Sequence, residues 1–140
     1  MSLDISADLT ELGRTPVTVV CAGVKSILDI SRTLEFLETQ GVPVITLGPA
    51  NSEFPAFFTR HSGTASPAIV SSVEGCARVI MANEQYGLCN GIVIAVPIPS
   101  EHAVDGAEVE NAIRQVLGTF MYHYGPIYYG VCYTSVANLL

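Results

Sequence analysis

Val17-Thr18-Val19-Val20-Cys21-Ala22-Gly23-Val24-Lys25-Ser26 decides how the chain is read. An apolar, β-branched run ends in a small turn holding Gly23. One lysine follows, and then helical periodicity begins. An unbroken apolar run of this length suits a strand buried on both faces, as in a parallel sheet. The pattern predicts a strand over 17–22 and a helix over about 26–40, with Lys25 near the helix N-terminus. In open α/β sheets that junction lies at the carboxyl end of a strand, where ligands bind. Lys25 is the only lysine in the chain; the other cations are Arg14, Arg32, Arg60, Arg78 and Arg114.

Outward from this stretch the alternation continues. Ile27, Ile30, Leu34 and Leu37 recur at helical spacing, and Gly41 suits the position just past a helix end. Residues 43–48 read as a second buried strand and 91–96 as a third, stopped by Pro97-Ile98-Pro99. Ser71-x-x-Glu74 reads as a capping box opening a helix that runs toward Gly87. Another helix is expected over about 106–117. Residues 49–66 read as a long irregular connection, with Phe54, Phe57 and Phe58 pinning it to the core. Upstream, Ser6 or Asp8 could cap a short helix, and the carboxylates of Asp4 and Asp8 would also suit a hard divalent cation. The fold class is α/β: three layers, α/β/α, around a largely parallel or mixed sheet forming part of a domain.

Bulk composition narrows the function classes. A net charge of −7 over 140 residues argues against nucleic-acid binding. At 14% charged residues the chain is poor in solvating side chains, so some surface is expected to face another chain. Cys21, Cys76, Cys89 and Cys132 show no metal-binding spacing and read as buried reduced thiols in a cytoplasmic protein. The segment 119–140 lacks Asp, Glu, Lys and Arg, but its glycines, Pro126 and five tyrosines make poor material for a membrane-spanning helix.

Local chemistry leaves Lys25 open between three roles. Gly23-x-Lys25-Ser26 faintly echoes a phosphate-binding loop but lacks the earlier glycine. A lysine amine near a helix N-terminus could attack an aldehyde to form an imine. It could also be a snorkelling surface lysine.

Four blocks resemble one family. Residues 4–12, running from Asp4-Ile5-Ser6-Ala7-Asp8, join Thr15 to Asp29 through Ala22-Gly23-Val24-Lys25-Ser26. Leu34 to Val44, then Phe54-Pro55-Ala56-Phe57-Phe58-Thr59-Arg60, then Pro97-Ile98-Pro99 follow. Together they look like the pseudouridine-5′-phosphate glycosidase family, which includes the indigoidine-cluster protein A. The resemblance covers about residues 3–117, leaving 118–140 as a divergent, tyrosine-rich tail. It implies reversible cleavage of the C–C glycosidic bond of pseudouridine 5′-phosphate, giving uracil and ribose 5-phosphate. It also implies imine formation by Lys25, substrate contacts from Ser6, Ala7 and Asp8, a manganese site linked to Asp4, and a homotrimer. Family members run much longer. Their glutamate proton donor, substrate-binding lysine and Asn-rich C-terminal segment have no counterpart here, and Val96 stands where Asn is usual. The alternative is therefore a non-catalytic fragment or pseudoenzyme that keeps phosphosugar binding. A phosphate-binding α/β module is a third reading.

Overall fold

The computed structural model describes residues 5–25, 28–103, 108, 111, 112 and 115. In chain order the elements are α1 (Ala7–Leu12), β1 (Thr18–Cys21), α2 (Ile30–Thr39), β2 (Val44–Leu47), β3 (Ile69–Val70), α3 (Val73–Gln85), β4 (Ile92–Ala95) and a 3₁₀ turn (Ser100–His102). The strands form one sheet in the order β1-β4-β2-β3, and every pairing is parallel. These elements lie in the unit Met1–Gly106. In the second unit, Ala107–Leu140, the residues Glu108, Asn111, Ala112 and Gln115 are helical and exposed. The tyrosine-rich tail lies outside the described residues.

The strand at the centre of the pattern explains the layers. All four residues of β4 are buried, and successive side chains point to opposite faces. Val93 and Ala95 join Val44, Phe54 and the α2 residues Ile30, Leu34 and Leu37, with Leu9 and Leu12 of α1 against them. Ile92 and Ile94 join Ile45 and Cys76, with Val79 and Ile80 of α3. So α1 and α2 cover one face and α3 the other, the expected three layers. Burial of a large aliphatic side chain contributes about 1.5–3 kcal/mol, so these two clusters hold the sheet.

Several local expectations are corrected. β1, expected to be buried on both faces, is an edge strand of the sheet with none of its four residues buried and Val20 exposed. The helix after β1 begins at Ile30, not near Ser26, because Asp29 caps it: its carboxylate accepts the Arg32 N–H at 3.1 Å. The cap of α3 is Ser72, not Ser71. Its hydroxyl accepts the Gly75 N–H at 3.1 Å, which places Gly75 rather than Glu74 at the third helical position, and there is no capping box. Beyond the connection at 49–66, Ile69–Val70 forms a short strand that the sequence pattern did not mark, its register fixed by the Thr46 N–H on the Ala68 carbonyl at 2.8 Å. The end of α2 is as expected. Gly41 adopts φ +71°, and its N–H and that of Val42 close onto Glu38 and Leu37, each at 2.9 Å. Of the cysteines expected to be buried, Cys76 is buried, Cys21 half-buried and Cys89 exposed; all three are free thiols.

Candidate active site

The carboxyl ends of β1 and β4 are adjacent, since Cys21 pairs with Ala95 and the Val96 N–H donates to the Cys21 carbonyl at 2.7 Å. The chain leaves β1 into Ala22-Gly23-Val24-Lys25 at that edge. Gly23 adopts φ +95°, left-handed backbone that suits glycine. It also forms an antiparallel bridge with Ala56. The space beside it is filled by the Pro55 carbonyl oxygen, which a Cβ on residue 23 would meet at 1.8 Å.

The Phe54–Arg60 block lies directly on this turn. Phe54 is fully buried in the cluster shared by β4 and α2. The Phe57 N–H donates to the Ala22 carbonyl at 3.1 Å, and the Ala56 N–H to the Thr59 carbonyl at 3.0 Å. Phe57 holds φ +63°, an unfavourable conformation for a bulky residue. Such strain persists where surrounding contacts over-determine the backbone, and it clusters at functional sites. Here those contacts are the bond to Ala22 and an edge-to-face Phe57–Phe58 pair, ring centroids 4.7 Å apart. Arg60 Nη1 then donates to the Ile98 carbonyl at 2.7 Å. Blocks separated by tens of residues therefore meet at one edge of the sheet: the Lys25 turn, the Phe54–Arg60 loop and Pro97-Ile98-Pro99.

Lys25 is half-buried in this assembly, and its carbonyl accepts the Leu28 N–H at 2.9 Å. It sits in a loop four residues before the Asp29 cap, not at a helix N-terminus. At that distance it lies outside the reach of the helix dipole, whose field acts within the first turn. Cys21, at the root of the turn, has its thiol pushed up from the ordinary range by burial, against a bond from the Gly23 N–H.

Ser6 caps α1, its hydroxyl accepting the Asp8 N–H at 3.3 Å, and Ala7 and Asp8 stand exposed on the first turn. Leu9 and Leu12 of α1 pack on the same apolar cluster as Cys21 and Val24, so one core supports both the Ser6–Asp8 turn and the Lys25 turn. Asp4 lies outside the described residues. Among the described residues no group of three or more His, Cys, Asp or Glu could hold a metal ion. The residues described thus do not compose a manganese site.

The roles of two residues escaped the sequence reading. Arg60 carries the bond that closes the site's third side. Glu53 organises the loop behind it: one carboxylate oxygen accepts the N–H groups of Ser62 and Gly63, both at 2.8 Å. Those two bonds, with His61 nearby, hold the Glu53 carboxyl below the usual range. The Ser62-Gly63 turn was the local signal available for it.

The comparisons converge. The family model described as indigoidine synthase A like protein matches residues 1–122. A pseudouridine-5′-phosphate glycosidase of Arabidopsis thaliana is 53% identical over 116 residues, 83% of this chain and 34% of its own length. One from Staphylococcus aureus is 50% identical over the same share of this chain and 37% of its own. This chain spans about a third of the length of these curated relatives. Among solved structures, a prealnumycin C-glycosynthase in complex with ribulose 5-phosphate superposes with a TM-score of 0.77 at 36% identity, over 86% of this chain and 39% of its own. An indigoidine synthase A-like protein of Thermotoga maritima gives 0.68 at 33% identity, over 78% of this chain and 36% of its own.

Proposed function

This chain belongs to the indigoidine synthase A-like family, and from that premise we propose that it carries the imine-forming portion of a pseudouridine-5′-phosphate glycosidase. The observation that carries the reading is Lys25 itself. It is the chain's one primary side-chain amine, half-buried at the carboxyl edge of a parallel sheet and seated in a turn that the Phe54–Arg60 block grips. The substrate is a five-carbon sugar phosphate, in keeping with the relatives' names and with the ribulose 5-phosphate held by the C-glycosynthase.

The chemistry follows from the amine. Lys25 Nζ adds to the C1 aldehyde of open-chain ribose 5-phosphate. The carbinolamine loses water, and a C–N double bond replaces the C–O double bond. The protonated imine is an electron sink at C1, so a uracil carbon can bond there, or leave from there in the cleavage direction. Ser6, Ala7 and Asp8 are assigned to substrate contact. The divalent cation is assigned to Asp4 with donors beyond the described residues. A homotrimer and a cytoplasmic setting complete the reading. Exposed Val20, Val73, Met81 and Tyr86 support the first, and three free thiols support the second.

A second reading is a sugar-phosphate-binding portion that forms the imine without turnover. Borohydride trapping with ribose 5-phosphate tests the proposal. A reduced adduct on the protein mass, absent in Lys25→Ala, is expected; no adduct on the unmodified chain overturns it. Formation of pseudouridine 5′-phosphate from ribose 5-phosphate, uracil and Mn²⁺ then separates a full catalyst from the second reading.

A further inference from the structure

We propose that Arg60 is a positioning residue that locks the Lys25 turn; its chemical consequence rests on the Lys25 reading above, its mechanics on the packing alone. Arg60 is half-buried, and its one hydrogen bond among the described residues is to a backbone carbonyl 38 positions away. The described ion pairs involve Arg14 with Glu11 and His61 with Glu53, so Arg60 is matched to no carboxylate among the described residues. A partly buried guanidinium spent on a neutral carbonyl calls for a reason.

The reason lies in the segment that Arg60 holds. Ile98 stands between Pro97 and Pro99, neither of which has an N–H. After β4 the backbone therefore cannot continue a strand ladder, and something else must anchor it. Arg60 supplies that anchor, and the bond closes a ring of contacts. The ring runs from the Ile98 carbonyl to Arg60, through the loop to Ala56 and Phe57, and across to Gly23 and Ala22. It returns through Cys21 and Val96 to the same segment. Lys25 sits two residues beyond Gly23. With Arg60 truncated, the ring opens, Phe57 loses part of what holds its positive φ, and the Lys25 turn loosens.

Amide hydrogen exchange on Arg60→Ala tests the mechanics without activity. Exchange should rise about tenfold, the loss of one charge-assisted hydrogen bond, at Ala56, Phe57 and Leu28, whose N–H rests on the Lys25 carbonyl. The amides of Val93 and Cys76, bonded to Pro43 and Ser72, should hold their rates. Arg60→Lys, which keeps a cationic N–H donor group, should recover part of the protection. Unchanged exchange at Ala56 and Phe57, or an equal rise at Val93 and Cys76, overturns the proposal. Trapping with ribose 5-phosphate is run alongside. It should slow about tenfold in Arg60→Ala and recover with millimolar methylguanidinium. Normal trapping in Arg60→Ala overturns the positioning role. An unmodified chain that never traps, with the local exchange pattern intact, sinks the Lys25 chemistry and leaves Arg60 as the loop's lock.

Discussion

Gly23 and Pro55 are in direct backbone contact: a Cβ on residue 23 would lie 1.8 Å from the Pro55 carbonyl oxygen and 2.6 Å from its carbon. Neither atom belongs to a side chain that could turn aside. The turn that presents Lys25 is thus shaped by the absence of a side chain two residues earlier. Gly23→Ala should destabilise the fold by about 2–4 kcal/mol, combining left-handed strain with overpacking. A lowered urea midpoint at unchanged slope is the measurement. A cost under about 0.5 kcal/mol, the usual range for a surface change, would show that the contact yields.

Lys25→Arg separates charge from nucleophilicity. The charge and most of the length remain, but a guanidinium is not a primary amine that can condense with an aldehyde. A urea midpoint measured alongside checks that the variant is folded. The reduced sugar adduct should vanish. An adduct of unchanged yield in Lys25→Arg would place the reactive amine elsewhere, and the chain terminus would be the first place to look.

Much of this architecture was legible because it is written locally. The apolar run at 92–95 reads as a strand covered on both faces, and it is. The run at 44–47, interrupted by Thr46, is buried as far as Thr46 with Leu47 half-buried. The equally apolar run at 17–22 instead gives an edge strand with no buried residue, because nothing in a local run says which strands lie beside it. The helix after β1 was misplaced because Ile27, Ile30, Leu34 and Leu37 extend one periodic pattern back past its true start. Periodicity does not register that Asp29 can take the Arg32 N–H and begin the helix there. Ile69–Val70 is too short to show alternation at all. The candidate site divides in the same way. Lys25 and the Phe54–Arg60 block stood out as motifs. Their meeting depends on hydrogen bonds such as Phe57 to Ala22 and Arg60 to Ile98, between residues far apart in the chain, which no local pattern encodes.

Glu53 makes the fold sensitive to acid. Its carboxyl is held below the usual carboxylate range, chiefly by the N–H groups of Gly63 and Ser62. Between the folded and unfolded pKa the unfolded chain binds more protons, so stability rises with pH there. The contribution is therefore complete above the unfolded value and is lost as pH falls through the folded one. With the side chain 36% exposed, solvent screening limits it to about 0.5–1 kcal/mol. Glu53→Gln should flatten the stability profile below pH ~5 relative to the unmodified chain. Parallel profiles would remove Glu53 from the acid response.

Ser71 and Ser72 offer a sharper test, because adjacent residues of one type make opposite predictions. Ser72 has extended backbone (φ −146°, ψ 157°) and its hydroxyl accepts the Gly75 N–H. Ser71 is exposed and lies outside α3. Ser72→Ala should cost about 1 kcal/mol, the usual loss for an N-cap serine. Ser71→Ala should stay within about 0.5 kcal/mol of the unmodified chain. The reverse order would mean that α3 starts one residue earlier, with Glu74 at the third helical position reaching back to the cap. Urea midpoints of the two variants, measured side by side, decide between these starts. Because α3 covers the β4 face that carries Ile92 and Ile94, the costlier variant should also loosen the Ile94 amide before those on the opposite layer.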